Sequence, residues 1–122
     1  MALLMKQPGA AIEIYQDILR KHEAGAGKYA EIERASLYNR LGVAFRQEGD
    51  LDASFEWFGK ALAEPGASAR ATTVARLELG KTLDVMGRRE RAREQYQVVA
   101  MAGDIAGSRR EAQALLRRPF RP

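Results

Sequence analysis

An all-α fold is predicted by three features of this sequence. Apolar side chains recur at spacings of three and four along most of the chain, as they do on one face of a helix. No run alternates apolar and polar residues in the way a half-buried strand would. Glycine and proline fall between the periodic stretches, and alanine, leucine, glutamate and arginine dominate within them. With 122 residues and 46% hydrophobic content, the chain is one domain in size and can bury about two-thirds of its unfolded surface.

The elements follow in order. Pro8-Gly9 precedes Ala11, Ile12, Ile14, Tyr15, Ile18 and Leu19, which mark one face of a helix ending near His22. Pro8 suits the first turn of that helix, where its missing N–H costs nothing. Gly25-Ala26-Gly27 interrupts the pattern, and a second helix of about twenty residues is predicted from near Tyr29 through Ile32, Ala35, Tyr38, Leu41, Ala44 and Phe45. Gly49 ends it by taking a left-handed conformation without a Cβ clash, and Asp50 offers a carboxylate to the first amides of the next helix. That third helix, Leu51 to about Glu64, turns Ser54, Phe55, Phe58, Ala61 and Leu62 inward, and Pro65-Gly66 closes it. A fourth helix starts at Ala67 to Ser68 and carries Val74, Ala75, Leu79, Leu83 and Met86 up to Gly87. The fifth follows two arginines, buries Ala92, Tyr96, Val99 and Met101, and stops around Gly103-Asp104. The last, Ile105 to Arg117, has Ala112, Leu115 and Leu116 inward; Pro119 stops it and leaves Phe120 as the one apolar side chain beyond, before a loose Arg121-Pro122.

Composition excludes several classes of chemistry. With no cysteine, there can be no disulfide, thiolate metal site or cysteine nucleophile, which fits a reducing compartment and a cytoplasmic location. Met1 to Met5 is apolar but too short for a signal h-region or a membrane span, and Lys6 and Pro8 end it, so no membrane association is expected. His22 is the only histidine, and no serine lies in a strand-turn-helix elbow that would complete a triad. Gly25-Ala26-Gly27 has no following Lys-Ser or Lys-Thr to cradle a phosphate. No catalytic set, metal site or cofactor is expected. The net charge of +4 sits in the second half of the chain: residues 1–61 hold 8 basic and 9 acidic side chains, residues 62–122 hold 12 and 7. Arg88, Arg89, Arg91, Arg93, Arg109, Arg110, Arg117, Arg118 and Arg121 form most of that excess. Such a cluster could meet nucleic acid or an acidic protein. The plainer reading, a solvated helix face with Glu90, Glu94 and Glu111 interleaved, is preferred.

The helices repeat. Gly42 superposed on Gly80 aligns Leu41 with Leu79, Phe45 with Leu83, Gly49 with Gly87, Asp52 with Glu90, Ser54 with Ala92, Phe58 with Tyr96 and Ala61 with Val99, all at an offset of 38. Gly42 and Ser54 let two helices approach closely, with Phe45 and Phe58 filling the space beside them. This pattern resembles the tetratricopeptide repeat, in which an aromatic, Leu-Gly, an aromatic, a small residue, a second aromatic, a small residue and a proline recur over about 34 residues. Tyr38, Leu41-Gly42, Phe45, Ser54, Phe58 and Ala61 match it, with Pro65 near the closing position. The match is strong over 35–66 and weaker over 73–102, where Arg76 holds the first aromatic position; four extra residues between the repeats are expected to extend the fourth helix at its start. Residues 9–22 resemble a second helix alone, with Ala11, Tyr15 and Ile18 at the small, aromatic and small positions, and 105–117 resemble a capping helix.

The resemblance implies a single domain of antiparallel helical hairpins, about six helices stacked as a short right-handed solenoid, and a non-enzymatic scaffold that takes a peptide or helix in its concave groove. It would place Ser36, Asn39, Arg40, Val43, Arg46 and Gln47 from one repeat, and Leu77, Glu78, Lys81, Asp84 and Val85 from the next, on that groove. Asn39 and Arg40 faintly resemble a clamp for a terminal carboxylate, but Val43, Leu77 and Glu78 break the pattern, and chaperone-tail binding is not predicted. Trp57 is expected to point away from its partner helix, either out on the convex side or packed against the first helix, the packed position being preferred. The first helix lacks a partner of its own: upstream sequence, another copy of the chain in a homodimer, or Met1 to Met5 folded back would cover it. The identity of the partner is not written in these residues.

Overall fold

Residues 8–122 of the protein are described by a computed structural model. Among these residues there are six α-helices and one 3-10 turn, and no strand. The helices are α1 (Pro8–Glu23), α2 (Arg34–Glu48), α3 (Leu51–Ala63), α4 (Ala69–Val85), α5 (Arg89–Met101) and α6 (Ser108–Arg117), with the 3-10 turn at Gly27–Glu31. Each helix packs on the next in sequence; in addition α2 touches α4, and α4 touches α6. No helix among the described residues is long and apolar enough to cross a membrane. The suggested cover by Met1 to Met5 lies outside the described residues.

Helix ends are closed as the sequence predicts. At Gly49 (φ +92°) the glycine amide donates to the Arg46 carbonyl (3.0 Å) and the Asp50 amide to that of Phe45 (2.9 Å). At Gly87 (φ +80°) the same pair of bonds reaches Asp84 (3.0 Å) and Leu83 (2.8 Å). Both are Schellman caps, and their left-handed φ is open to glycine because it has no Cβ. The Asp50 side chain accepts from the Ala53 amide (3.1 Å), and the Ser68 hydroxyl caps α4 through the Ala71 amide (3.1 Å).

The interior is built on one contact made twice. A Cβ on Gly42 would lie 2.5 Å from the Phe58 ring, and one on Gly80 would lie 2.4 Å from the Tyr96 ring. Both rings are fully buried. Each therefore lies directly on the backbone of the preceding helix, a closeness that only glycine permits. Around the second contact sit Leu77, Leu79, Leu83, Ala92, Val99 and Ala112, and Ala35, Ala61, Ala71 and Ala75 form a smaller cluster of short side chains. The Ser54 and Thr82 hydroxyls, both fully buried, pair at 2.9 Å and tie α3 to α4.

Several expectations need correction. The long second helix is two elements, because the chain is extended at Ile32 and Glu33 (ψ 132° and 124°). That break places the Glu33 carboxylate across the start of α4, where the Ser68 amide (2.6 Å) and hydroxyl (2.9 Å) donate to it, along with the Ser36 hydroxyl (3.0 Å). Continuing the helix would forfeit these bonds. The last helix begins at Ser108 rather than Ile105: the Ile105 amide donates to the Ser108 hydroxyl (3.1 Å), and Asp104 accepts from the Arg109 amide (3.1 Å). Three apolar residues placed on inward faces point out, namely Ile14 (57% exposed), Val74 (37%) and Met101 (86%). Trp57 does not turn away from its partner helix. It lies against α2 between Tyr38 (centroids 5.6 Å apart) and Phe45 (6.4 Å, rings within 12° of parallel), with the Lys60 ammonium 4.3 Å from its centroid. Tyr38 and Phe45 are two helical turns apart, and the indole is long enough to bridge them.

Glu33 gives the fold an acid-sensitive joint. The Ser68 amide holds its carboxyl below the usual range; partial burial opposes this, and the Ser68 and Ser36 hydroxyls reinforce it. A folded-state value below the unfolded one means that the stabilisation is complete above the ordinary carboxylate range and is lost as pH falls through the lowered value. Denaturant titrations from about pH 5 to about pH 3 should show a smaller loss of stability in Glu33→Gln than in the unaltered chain. Parallel losses would mean that the Ser68 bonds contribute nothing to acid sensitivity.

Candidate functional site

The eleven residues predicted to line a groove fall into two groups. The first is structural in part. Leu77, 5% exposed, belongs to the core beside Phe58 and Tyr96. Its position is corrected accordingly. Asn39 is also buried: its Nδ2 donates to the Ala71 carbonyl (2.9 Å), pinning α2 to α4, while its Oδ1 has no hydrogen-bond partner. Ser36 donates to Glu33.

A chain of ion pairs runs across the same face. Arg46 donates to the Glu78 carboxylate (2.7 Å) and carbonyl (3.0 Å), and it lies 3.4 Å from the Thr82 hydroxyl. Lys81 donates to the other Glu78 oxygen (2.8 Å) and pairs with Glu111 of α6 (2.7 Å). Burial pushes the Lys81 ammonium down, but its bonds to Glu111 and Glu78 more than offset this, and the net shift is upward. Asp84, whose side chain is 1% exposed, accepts from the Tyr96 hydroxyl (2.7 Å), from Arg89 (3.1 Å to each oxygen) and from the Phe120 amide (2.9 Å). Burial, and then the bond to Asp84, push the Tyr96 phenol far above its ordinary value.

The chain therefore sets its own C-terminal segment on the predicted surface. Arg89 donates to the Leu115 (2.8 Å) and Leu116 (2.9 Å) carbonyls, and Arg93 to Leu116 (2.5 Å), gripping the end of α6. Beyond it the Phe120 ring lies 5.0 Å from the Arg46 guanidinium and 5.4 Å from the Lys81 ammonium. With Arg109, which donates to the Ala102 carbonyl (2.7 Å), three members of the basic cluster are thus bonded to main-chain carbonyls. Phe120, singled out in the sequence only as the apolar residue after Pro119, is the site feature that sequence reasoning missed; a lone aromatic after a helix stop is the signal that marks it.

The second group remains open. Arg40 and Gln47 are exposed, and Val43 and Val85 are half-buried. Arg40, Gln47, Val43, Asn39 and Glu78 line a groove of about 460 Å³ between α1, α2 and α4, together with Ala11, Tyr15, Ala44 and Val74. The Arg40 guanidinium stands 5.9 Å from the Tyr15 ring centroid. Val74 also lines two smaller adjoining depressions, one with Ser36 and Arg70 and one with Ile105 and Glu111. The open surface is thus continuous past Val74, from α1 to the approach of α6. Val85 does not line it. His22 lies in the last turn of α1, and its Nδ1 is without a partner.

Compared with models of known families, with curated proteins and with solved structures, the chain matches none of them.

Proposed function

We propose that this chain is a helical-repeat scaffold of the tetratricopeptide type, which binds an extended peptide or helix of a partner protein along the face shared by α1, α2 and α4. The repeat reading is supported by the glycine–aromatic contact and the Schellman cap, both of which recur at an offset of 38. It is also supported by the contacts of alternate helices, α2 with α4 and α4 with α6. Binding rather than catalysis is the reading, since the polar residues of this face are engaged in structural bonds or form the walls of an open groove.

One observation carries the assignment. The groove of about 460 Å³ joins half-apolar walls, Val43, Val74 and Tyr15, to an exposed cation at Arg40 and an amide at Gln47. Apolar walls with a few placed polar groups are what a recognition groove needs. Val74, exposed at its centre, gives up burial that the helical spacing would have allowed.

A peptide-display selection on the folded chain tests this. Enriched peptides should bind Arg40→Glu or Val74→Asp roughly tenfold more weakly, a change of about 1.4 kcal/mol, and bind Arg110→Glu unchanged. Both groove positions are exposed, so folding should be preserved. Peptides that bind all the variants equally would remove the groove from the proposal.

A further inference from the structure

The Phe120 seat differs from its occupant in how firmly each is held. Arg46 and Lys81 are fixed from behind by opposite oxygens of Glu78, at 2.7 and 2.8 Å, and Lys81 also by Glu111 at 2.7 Å. Asp84 is fixed by Arg89 and by the Tyr96 hydroxyl. None of these bonds involves Phe120, so the seat keeps its shape when the ring leaves it. Phe120 itself is held by one amide bond to Asp84 (2.9 Å) and by two cations near its ring. The ring is only partly buried. A preformed site holding a lightly bound segment is arranged for exchange, because the ordering cost of the site has already been met.

We propose that the seat of Arg46, Lys81 and Asp84 recognises an aromatic side chain in an extended segment of a partner protein, and that Phe120 fills it as a displaceable stand-in. The proposal rests on the reading of this face as a peptide-binding surface and names the chemistry of one of its positions. Two cations over one ring select an electron-rich face, hence Phe, Tyr or Trp rather than an aliphatic residue. A buried carboxylate accepting a main-chain N–H selects an extended segment whose amide is free, and it excludes proline at the aromatic position itself. The segment in the seat competes from within the same molecule, where its effective concentration reaches the millimolar range. A partner must therefore outbid it or engage the open groove around Val74 as well.

The experiment uses a labelled peptide copying residues 118–122 (Arg-Pro-Phe-Arg-Pro), with its ends blocked, and fluorescence polarisation. The Phe120→Ala chain should bind it saturably, and the unaltered chain roughly tenfold more weakly or less. The same peptide with alanine for phenylalanine should lose that binding. Phe120→Leu, which keeps apolar bulk without a π face, should free the seat to an intermediate degree, and this keeps the test decisive if the alanine variant unfolds. No saturable binding to either variant, with circular dichroism showing them folded, overturns the proposal. Equal binding of the alanine peptide overturns it too. Reversible dimerisation of the unaltered chain that is abolished by Phe120→Ala would make the occupant a second copy and overturn the partner reading. A negative result here leaves the groove reading standing, because that is tested at Arg40 and Val74, which do not touch the seat.

Discussion

Replacing Asp84 by alanine is expected to cost the fold about 3 kcal/mol, the upper part of the range for single substitutions. Its carboxylate is the meeting point of three donors, the Tyr96 hydroxyl and the Arg89 guanidinium of α5 and the Phe120 amide beyond α6. The side chain is 1% exposed, so removing it leaves the Tyr96 hydroxyl buried without an acceptor and Arg89 without its counter-charge. An orphaned buried donor costs about 1–3 kcal/mol, more than the net gain from a satisfied hydrogen bond. The loss should therefore shrink when the donor is removed as well. In Asp84→Ala with Tyr96→Phe the deficit should be smaller than the sum of the two single changes by about 1 kcal/mol. Urea midpoints of the four proteins measure it. A single-site loss below about 0.5 kcal/mol, the size of an ordinary surface change, would show that Arg89 and Tyr96 find other partners.

Gly42→Ala should destabilise by about 2 kcal/mol, although alanine is the better helix former by about 1 kcal/mol. The added methyl would stand 2.5 Å from the buried Phe58 ring, which cannot swing away without displacing the packed core. For a chain of this size the melting temperature should fall by about 8 °C. Gly59→Ala is the internal contrast. Gly59 is exposed in the middle of α3 and a Cβ there meets nothing within 4 Å, so only the propensity gain remains, about 0.5–1 kcal/mol of added stability. Shortening the opposing ring should relieve the first variant: Gly42→Ala with Phe58→Leu is expected to show favourable coupling of about 1 kcal/mol. Equal effects of alanine at positions 42 and 59 would mean that the close approach does not govern packing.

The helices, the turns at Gly49 and Gly87 and the glycine–aromatic pairs were legible in the sequence because each follows from a local rule. Gly49-Asp50 is a turn wherever it occurs between two helical stretches, and Gly42 with Phe58 is a spacing along the chain. What stayed hidden depends on partners far away in sequence. Nothing near Glu33 announces that its carboxylate will cap an interface with Ser68, so the break before α2 could not be placed. Arg46, Glu78, Lys81 and Asp84 look like ordinary exposed helix positions until α2, α4, α5 and α6 are brought together; then Arg46 and Lys81 pair with Glu78, Lys81 with Glu111 and Asp84 with Arg89, and their polarity is a matter of structure before it is one of binding. Helical period alone put Val74, Met101 and Ile14 inside, because a period fixes a face but not how wide a stripe the neighbouring helix covers. Trp57 is packed, as the preferred reading has it, but against α2 rather than away from it, because Tyr38 and Phe45 leave a place between them that the indole fills.

A row of helices in which each touches little beyond its sequence neighbours opens from its ends, one element at a time. The ties on α6 change that behaviour. Lys81 of α4 pairs with Glu111, and Arg89 and Arg93 of α5 hold the Leu115 and Leu116 carbonyls, so α6 cannot fray without breaking contacts on both preceding helices, whether or not Phe120 occupies its seat. The last helix thereby shares the stability of the fourth and fifth.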